Sequence, residues 1–81
     1  MLLMQYFPEH TMQIEVFKTN VKTKRNADRV IKLIKGIQPA GKINFDLEDC
    51  DNILRIEAKE IKVQPILNLL KDLGFTCIPL E

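Results

Sequence analysis

The chain contains no serine and only one histidine, His10. A Ser-His-Asp triad is therefore impossible, and a Cys-His pair would have to use that imidazole near the amino end. Glycine is scarce and never grouped, so there is no glycine-rich loop to cradle a phosphate. The two cysteines, Cys50 and Cys77, lie far apart and form no CxxC pair. Without an export signal, two free thiols are expected rather than a disulfide. Long apolar runs are missing as well. Residues 1–10 open with four apolar side chains, but Gln5, Pro8, Glu9 and His10 break the run and no basic segment precedes it. That pattern is neither a signal peptide nor a membrane span, which leaves the cytoplasm as the expected compartment and no membrane partner. Together these absences describe a non-enzyme.

What is present fits one small domain. At 81 residues the chain can bury a single modest core but not two. Lys and Arg number 12 against 11 Asp and Glu, so net charge argues neither for bulk nucleic-acid binding nor for an acidic tail. Residues 1–11 match no period and are set apart as a tail or extra segment. Tyr6 and Phe7 within it are costly to leave in water, so it is either frayed or laid over an apolar surface. Residues 12–81 form the domain.

Residues 12–19 alternate, with Met12, Ile14 and Val16 on one side and Gln13, Glu15 and Phe17 on the other. The first set is the expected buried face, and Phe17 suggests that the second is not wholly solvated. A polar turn follows, in which Thr23 or Asn20 can cap a helix. Ala27, Val30, Ile31 and Ile34 trace its apolar stripe, opposite Lys24, Arg25, Asp28, Arg29, Lys32 and Lys35. Gly36 is expected to end it in a left-handed conformation. After a Pro-Gly loop at 38–41, Ile43, Phe45 and Leu47 alternate as a strand. An acidic turn at 48–52 then leads into a third strand at 53–58, making a hairpin. Residues 60–73 read as a second helix with Val63, Ile66, Leu67, Leu70 and Leu73 on its buried side, Pro65 in its first turn and Gly74 at its end. Residues 75–80 are a last strand, and Pro79 places it at an edge.

The order strand, helix, strand, strand, helix, strand predicts an α+β, ferredoxin-like βαββαβ fold. Right-handed crossovers then give a four-stranded antiparallel sheet with both helices on one face. The other face stays open, and Phe17 and the amino-terminal aromatics are placed to meet there.

With that order, Val30, Ile34, Gly36, the run Ile43-Asn44-Phe45-Asp46-Leu47-Glu48 and Leu73-Gly74-Phe75 stand where features of the heavy-metal-associated (HMA) domain family belong. Over roughly residues 12–80 the chain resembles that family, the copper-chaperone and metal-ATPase metal-binding fold. The resemblance implies a metal loop at residues 20–26. It puts Val21 in place of a buried Met, and Thr23 and Asn26 in place of the two cysteines of GMxCxxC. Copper(I) is soft and thiolate-loving, whereas a hydroxyl and an amide are hard, weak ligands. The family's metal site is thus absent at the residues that would carry it, and no cofactor is expected. The alternative is a functional chaperone binding copper or zinc through an atypical site that recruits Cys50 or Cys77, for instance across a dimer.

Other sites weigh less. Cys77 occupies an apolar strand position and reads as a core thiol. Cys50 sits among Glu48, Asp49 and Asp51, a turn without the ligand spacing of a calcium loop. Single-stranded nucleic acid on the open sheet face would require several stacking aromatics. Only Phe17 qualifies, since Phe45 points to the core, so nucleic acid is disfavoured. Self-association or small-ligand binding through the open face is a further option, with Leu69 and Ile53 as spare apolar side chains. The preferred reading is an interaction module. Lys22, Thr23, Lys24, Arg25, Asn26 and Arg29, with Phe75, form a cationic surface at a helix amino end that would receive an acidic protein partner. The partner's identity and the oligomeric state are left open.

Overall fold

Strand β1 (Gln13–Thr19) runs through the middle of the sheet, and the direction of its side chains decides where the core lies. The computed structural model describes residues 12–80. The expectation for residues 1–11 falls outside them. After β1 come α1 (Lys24–Ile37), β2 (Lys42–Asp46), β3 (Ile53–Ala58), α2 (Val63–Asp72) and β4 (Cys77–Leu80). The strands form one antiparallel sheet in the order β2-β3-β1-β4, and the architecture is the ferredoxin-like βαββαβ fold. β4 lies at an edge, where a proline in the ladder is tolerated. No helix among the described residues is long and apolar enough to cross a membrane.

The helices cover one face of the sheet. Phe17, Leu54, Ile56 and Ile43 rise from the strands to meet Ala27, Val30 and Ile34 of α1 and Ile66 and Leu70 of α2. Phe17 is fully buried, opposite Leu54 on one side and Pro79 on the other. This reverses the expected polarity of β1. Met12, Ile14 and Val16 lie on the open face, and the strand turns Phe17 and Thr19 to the core. The alternation is real, but strand period alone does not say which set is inside. What decides it is the neighbourhood: Phe17 lies between Leu54 and Pro79 and on the side of the sheet that the apolar residues of both helices cover.

Three boundaries also differ from expectation. Gly36 does not end α1. It lies within the helix, which continues to Ile37, and Gln38 is the capping residue, with φ −126° and its N–H on the Ile34 carbonyl. Helix α2 begins at Val63 rather than at residue 60, still with Pro65 in the first turn. β4 begins at Cys77 rather than at residue 75, because Phe75 and Thr76 belong to the turn. There Gly74 has φ +91°, the left-handed conformation that closes α2. Asn52 also has positive φ, 46°, at the entry to β3, a conformation its short amide side chain tolerates.

Gln38 is a buried polar residue in a connection that composition marks only as loop. Its Nε2 donates to the Glu60 carbonyl at 2.9 Å, and its Oε1 accepts from the Lys62 amide. One side chain therefore satisfies both backbone groups ahead of α2, a helix with no side-chain cap of its own.

Candidate functional site

Three connections meet at the end of the sheet where β1 finishes: the 20–23 turn, the 47–52 hairpin loop and the 74–76 turn. Alternate residues of the first turn tie it down. Thr19 donates its hydroxyl to the Asn52 carbonyl at 2.6 Å and accepts the Val21 amide at 3.2 Å. Val21 is fully buried, as its position in the loop leads one to expect. Asn20 Oδ1 accepts the Thr76 amide at 2.9 Å, which brings the Phe75–Thr76 segment alongside the turn. This contact joins residues 56 apart, and no local signal marks it.

Thr23 is the N-cap of α1. Its backbone is extended, its hydroxyl accepts the Asn26 amide at 3.1 Å, and its carbonyl accepts the Ala27 amide at 2.9 Å. Asn20, the other candidate cap, instead serves the 74–76 turn. Lys22, Lys24, Arg25 and Arg29 are exposed, while Asn26 and Phe75 are partly buried and Phe75 packs against the core. Lys24 leans on Asp28 one turn on, at 3.1 Å. Among the described residues Lys22, Arg25 and Arg29 have no ion-pair partner within 4.0 Å. The acidic hairpin is not remote from them. Lys18 reaches Asp51 at 3.6 Å, and the Thr19 amide donates to the Asp51 carbonyl at 3.1 Å. The two signs of charge are therefore neighbours at this end of the molecule.

The residues do not fit a soft metal. The Thr23 hydroxyl is committed to the Asn26 backbone amide through the cap, and neither residue supplies a thiolate. Asp49, Cys50 and Asp51 bring ligand atoms within 4.8 Å of one another, but they hold a single sulfur on an open turn. Asp49 Oδ1 also serves the backbone, accepting the Asp51 amide at 2.8 Å, and the Asp51 carboxylate faces Lys18 at 3.6 Å. Cys77 lies on β4, opposite Thr19 and packed against the core. Burial pushes its thiol up to about 11, so it stays protonated at neutral pH and is a poor ligand or nucleophile.

A groove that strand and helix periods do not reveal runs between α1 and β2. It is a cavity of about 410 Å³ lined by the apolar Ala27, Ile31, Phe45 and Leu47 and by the polar Lys24, Asp28, Asn44, Asp46 and Glu48. Helix α1 thus presents cations at its amino end and a recess of mixed polarity along one flank.

Compared with known proteins, the chain matches no family model, no curated protein and no solved structure.

Proposed function

We propose that the chain is a non-catalytic protein-interaction module of the cytoplasm. It resembles HMA domains, tied by that resemblance to metal-ion handling, and it docks an acidic partner surface on the loop and first turns of α1. Lys22, Arg25 and Arg29, without an ion-pair partner among the described residues, supply the charge, and Lys24 and Asp28 supply a pair that can exchange partners. Thr23 and Asn26 hold the helix end rigid, and Phe75 offers an apolar border. The observation that supports this most is the use of the Thr23 hydroxyl. It is spent on the Asn26 amide, so the loop keeps its shape without a bound ion while its cations face outward. The free amides of the helix's first turn add to the attraction for negative charge.

The test has two arms. Copper(I) or zinc is titrated into the protein against a competing chelator while amide shifts are followed. The reading expects no shifts confined to residues 21–26, and stoichiometric capture would replace it with the chaperone alternative. In the second arm a glutamate-rich peptide is immobilised, and retention is compared for the wild type and the Lys22→Glu, Arg25→Glu, Arg29→Glu variant. Salt-sensitive retention that the variant loses is the expected result. Equal behaviour of the two proteins would sink the docking surface.

A further inference from the structure

The two edges of the sheet differ. β4 carries Pro79, which has no N–H to offer a further strand. β2 is hydrogen-bonded to β3 alone and contains no proline. It pairs with β3 one to one, from Lys42 opposite Glu57 to Asp46 opposite Ile53, without a bulge. Alternate residues of β2 therefore turn their N–H and C=O groups outward, away from β3. The α1–β2 groove lies against this edge. Its lining takes in residues 44–48 in succession, although their side chains alternate between the two sides of the sheet, so the groove reaches the strand's outer margin. Half-buried Ile31 and Phe45 supply apolar surface within it. Charge along the margin is one-sided. Among the described residues Asp46, Glu48 and Asp49 have no ion-pair partner within 4.0 Å, whereas Asp28 is held by Lys24 and Asp51 by Lys18. Lys42 stands at the opposite end of β2.

We propose that the β2 edge takes up an extended peptide as a further antiparallel strand, basic at its amino-terminal end and apolar at alternate positions. Outward N–H and C=O groups on alternate residues are matched by the main chain of another extended segment, which supplies both at the same repeat. Every second side chain of that segment then drops into the groove, against Ile31 and Phe45. The side chains between them meet Lys42, Asn44 and Asp46 in turn, and the carboxylates of Asp46, Glu48 and Asp49 select cations at the end where β2 finishes. A second copy of this chain is less complementary. Laid antiparallel with its Lys42 facing Asp46, it would place Gly41 and Ala40 opposite Leu47 and Glu48, with no cation for Glu48 or Asp49. The edge is separate from the acidic-partner surface at Lys22, Arg25 and Arg29, and the two stand or fall independently.

The probe is the capped peptide Lys-Val-Lys-Val-Thr-Val-Glu, whose lysines fall opposite Glu48 and Asp46 and whose glutamate falls opposite Lys42. It is titrated into the full chain from about 1 μM to about 1 mM while backbone amide shifts are followed. Saturable shifts are expected at residues 42–48 and along the 24–31 flank of α1. The same peptide with both lysines replaced by glutamate should bind at least about tenfold more weakly, and so should the original peptide to Glu48→Lys. Glu48 is exposed and lends the turn its amide, so that variant keeps its fold, which circular dichroism checks. The Lys22→Glu, Arg25→Glu, Arg29→Glu variant should bind the probe no less tightly than wild type. Two N-methylated probes, blocked at odd or at even residues, read the main-chain contact: one should lose binding and the other keep it. Loss in both or in neither overturns the proposal. So does equal binding of the glutamate peptide, or shifts that fall on β4 or the 20–23 turn instead. Concentration-dependent shifts of residues 42–48 without any peptide would also overturn it, assigning the edge to a second copy.

Discussion

The hydroxyl of Thr23 accepts the amide of Asn26 at 3.1 Å, and these are the two positions at which the family resemblance would put metal-binding sulfurs. The first turn of α1 is closed by its own side chain. Stability and ligand chemistry therefore both bear on the side chain of Thr23, while Asn26 enters the cap through its backbone alone.

Thr23→Ala should cost about 1 kcal/mol and lower the melting temperature by roughly 4–8 °C, whereas Thr23→Asp, another good cap, should restore it. Thr23→Cys combined with Asn26→Cys should create stoichiometric copper(I) capture at a helix amino end, where thiolates are favoured. A folded double variant that ignores copper(I) would argue that the loop is not shaped like that of the family it resembles.

Phe17 and Ile14 separate the two faces of β1. Phe17→Ala removes a fully buried ring and should cost about 3–5 kcal/mol in urea denaturation, a large part of a small domain's stability. Ile14→Ala at low protein concentration should cost less than about 1 kcal/mol. Similar losses at both positions would mean that the core lies elsewhere.

Much of this architecture can be read from the residues alone. β3 spans the 53–58 run, and the α1 stripe of Ala27, Val30 and Ile34 is the helix's buried side. The polarity of β1 was not legible, because Met12, Ile14 and Val16 outnumber Phe17 and the deciding neighbours, Leu54 and Pro79, are distant in sequence. The end of α1 misleads for a related reason. Glycine is the usual helix stop, but here Gln38 caps the helix through its backbone while its side chain bonds residues 22 and 24 positions away. At the candidate site the cap and the cations are local and therefore visible. The ties to Asn52 and Thr76 and the α1–β2 groove exist only after folding.

Two glycines should respond with opposite sign. An added Cβ at Gly36 meets nothing within 4 Å, and the residue is helical, so Gly36→Ala should stabilise by about 0.5–1 kcal/mol. Gly74 has as much room but φ +91°, so Gly74→Ala should destabilise by about 1 kcal/mol. Thermal melts of the two variants decide whether the helix ends are as described.

Cys77 predicts an alkaline effect. Its thiol is raised from 9.0 to about 11 by burial, so the folded state holds the proton more tightly than the unfolded one. This contribution is complete below pH 9 and is lost as pH rises toward 11. Cys77→Val should flatten the stability–pH curve in that window relative to wild type. At neutral pH an alkylating reagent should modify the exposed Cys50 well before Cys77.

Gln38 joins the end of the first helical crossover to the start of the second by binding two main-chain groups, one on either side of residue 61. Neither half of the chain can then open without exposing a polar atom that the other half had satisfied. The amide of Lys62 should accordingly exchange with deuterium only in the global unfolding event, at the pace of the slowest core amides. In Gln38→Leu it should exchange through fraying of α2 alone, turning one cooperative unit into two.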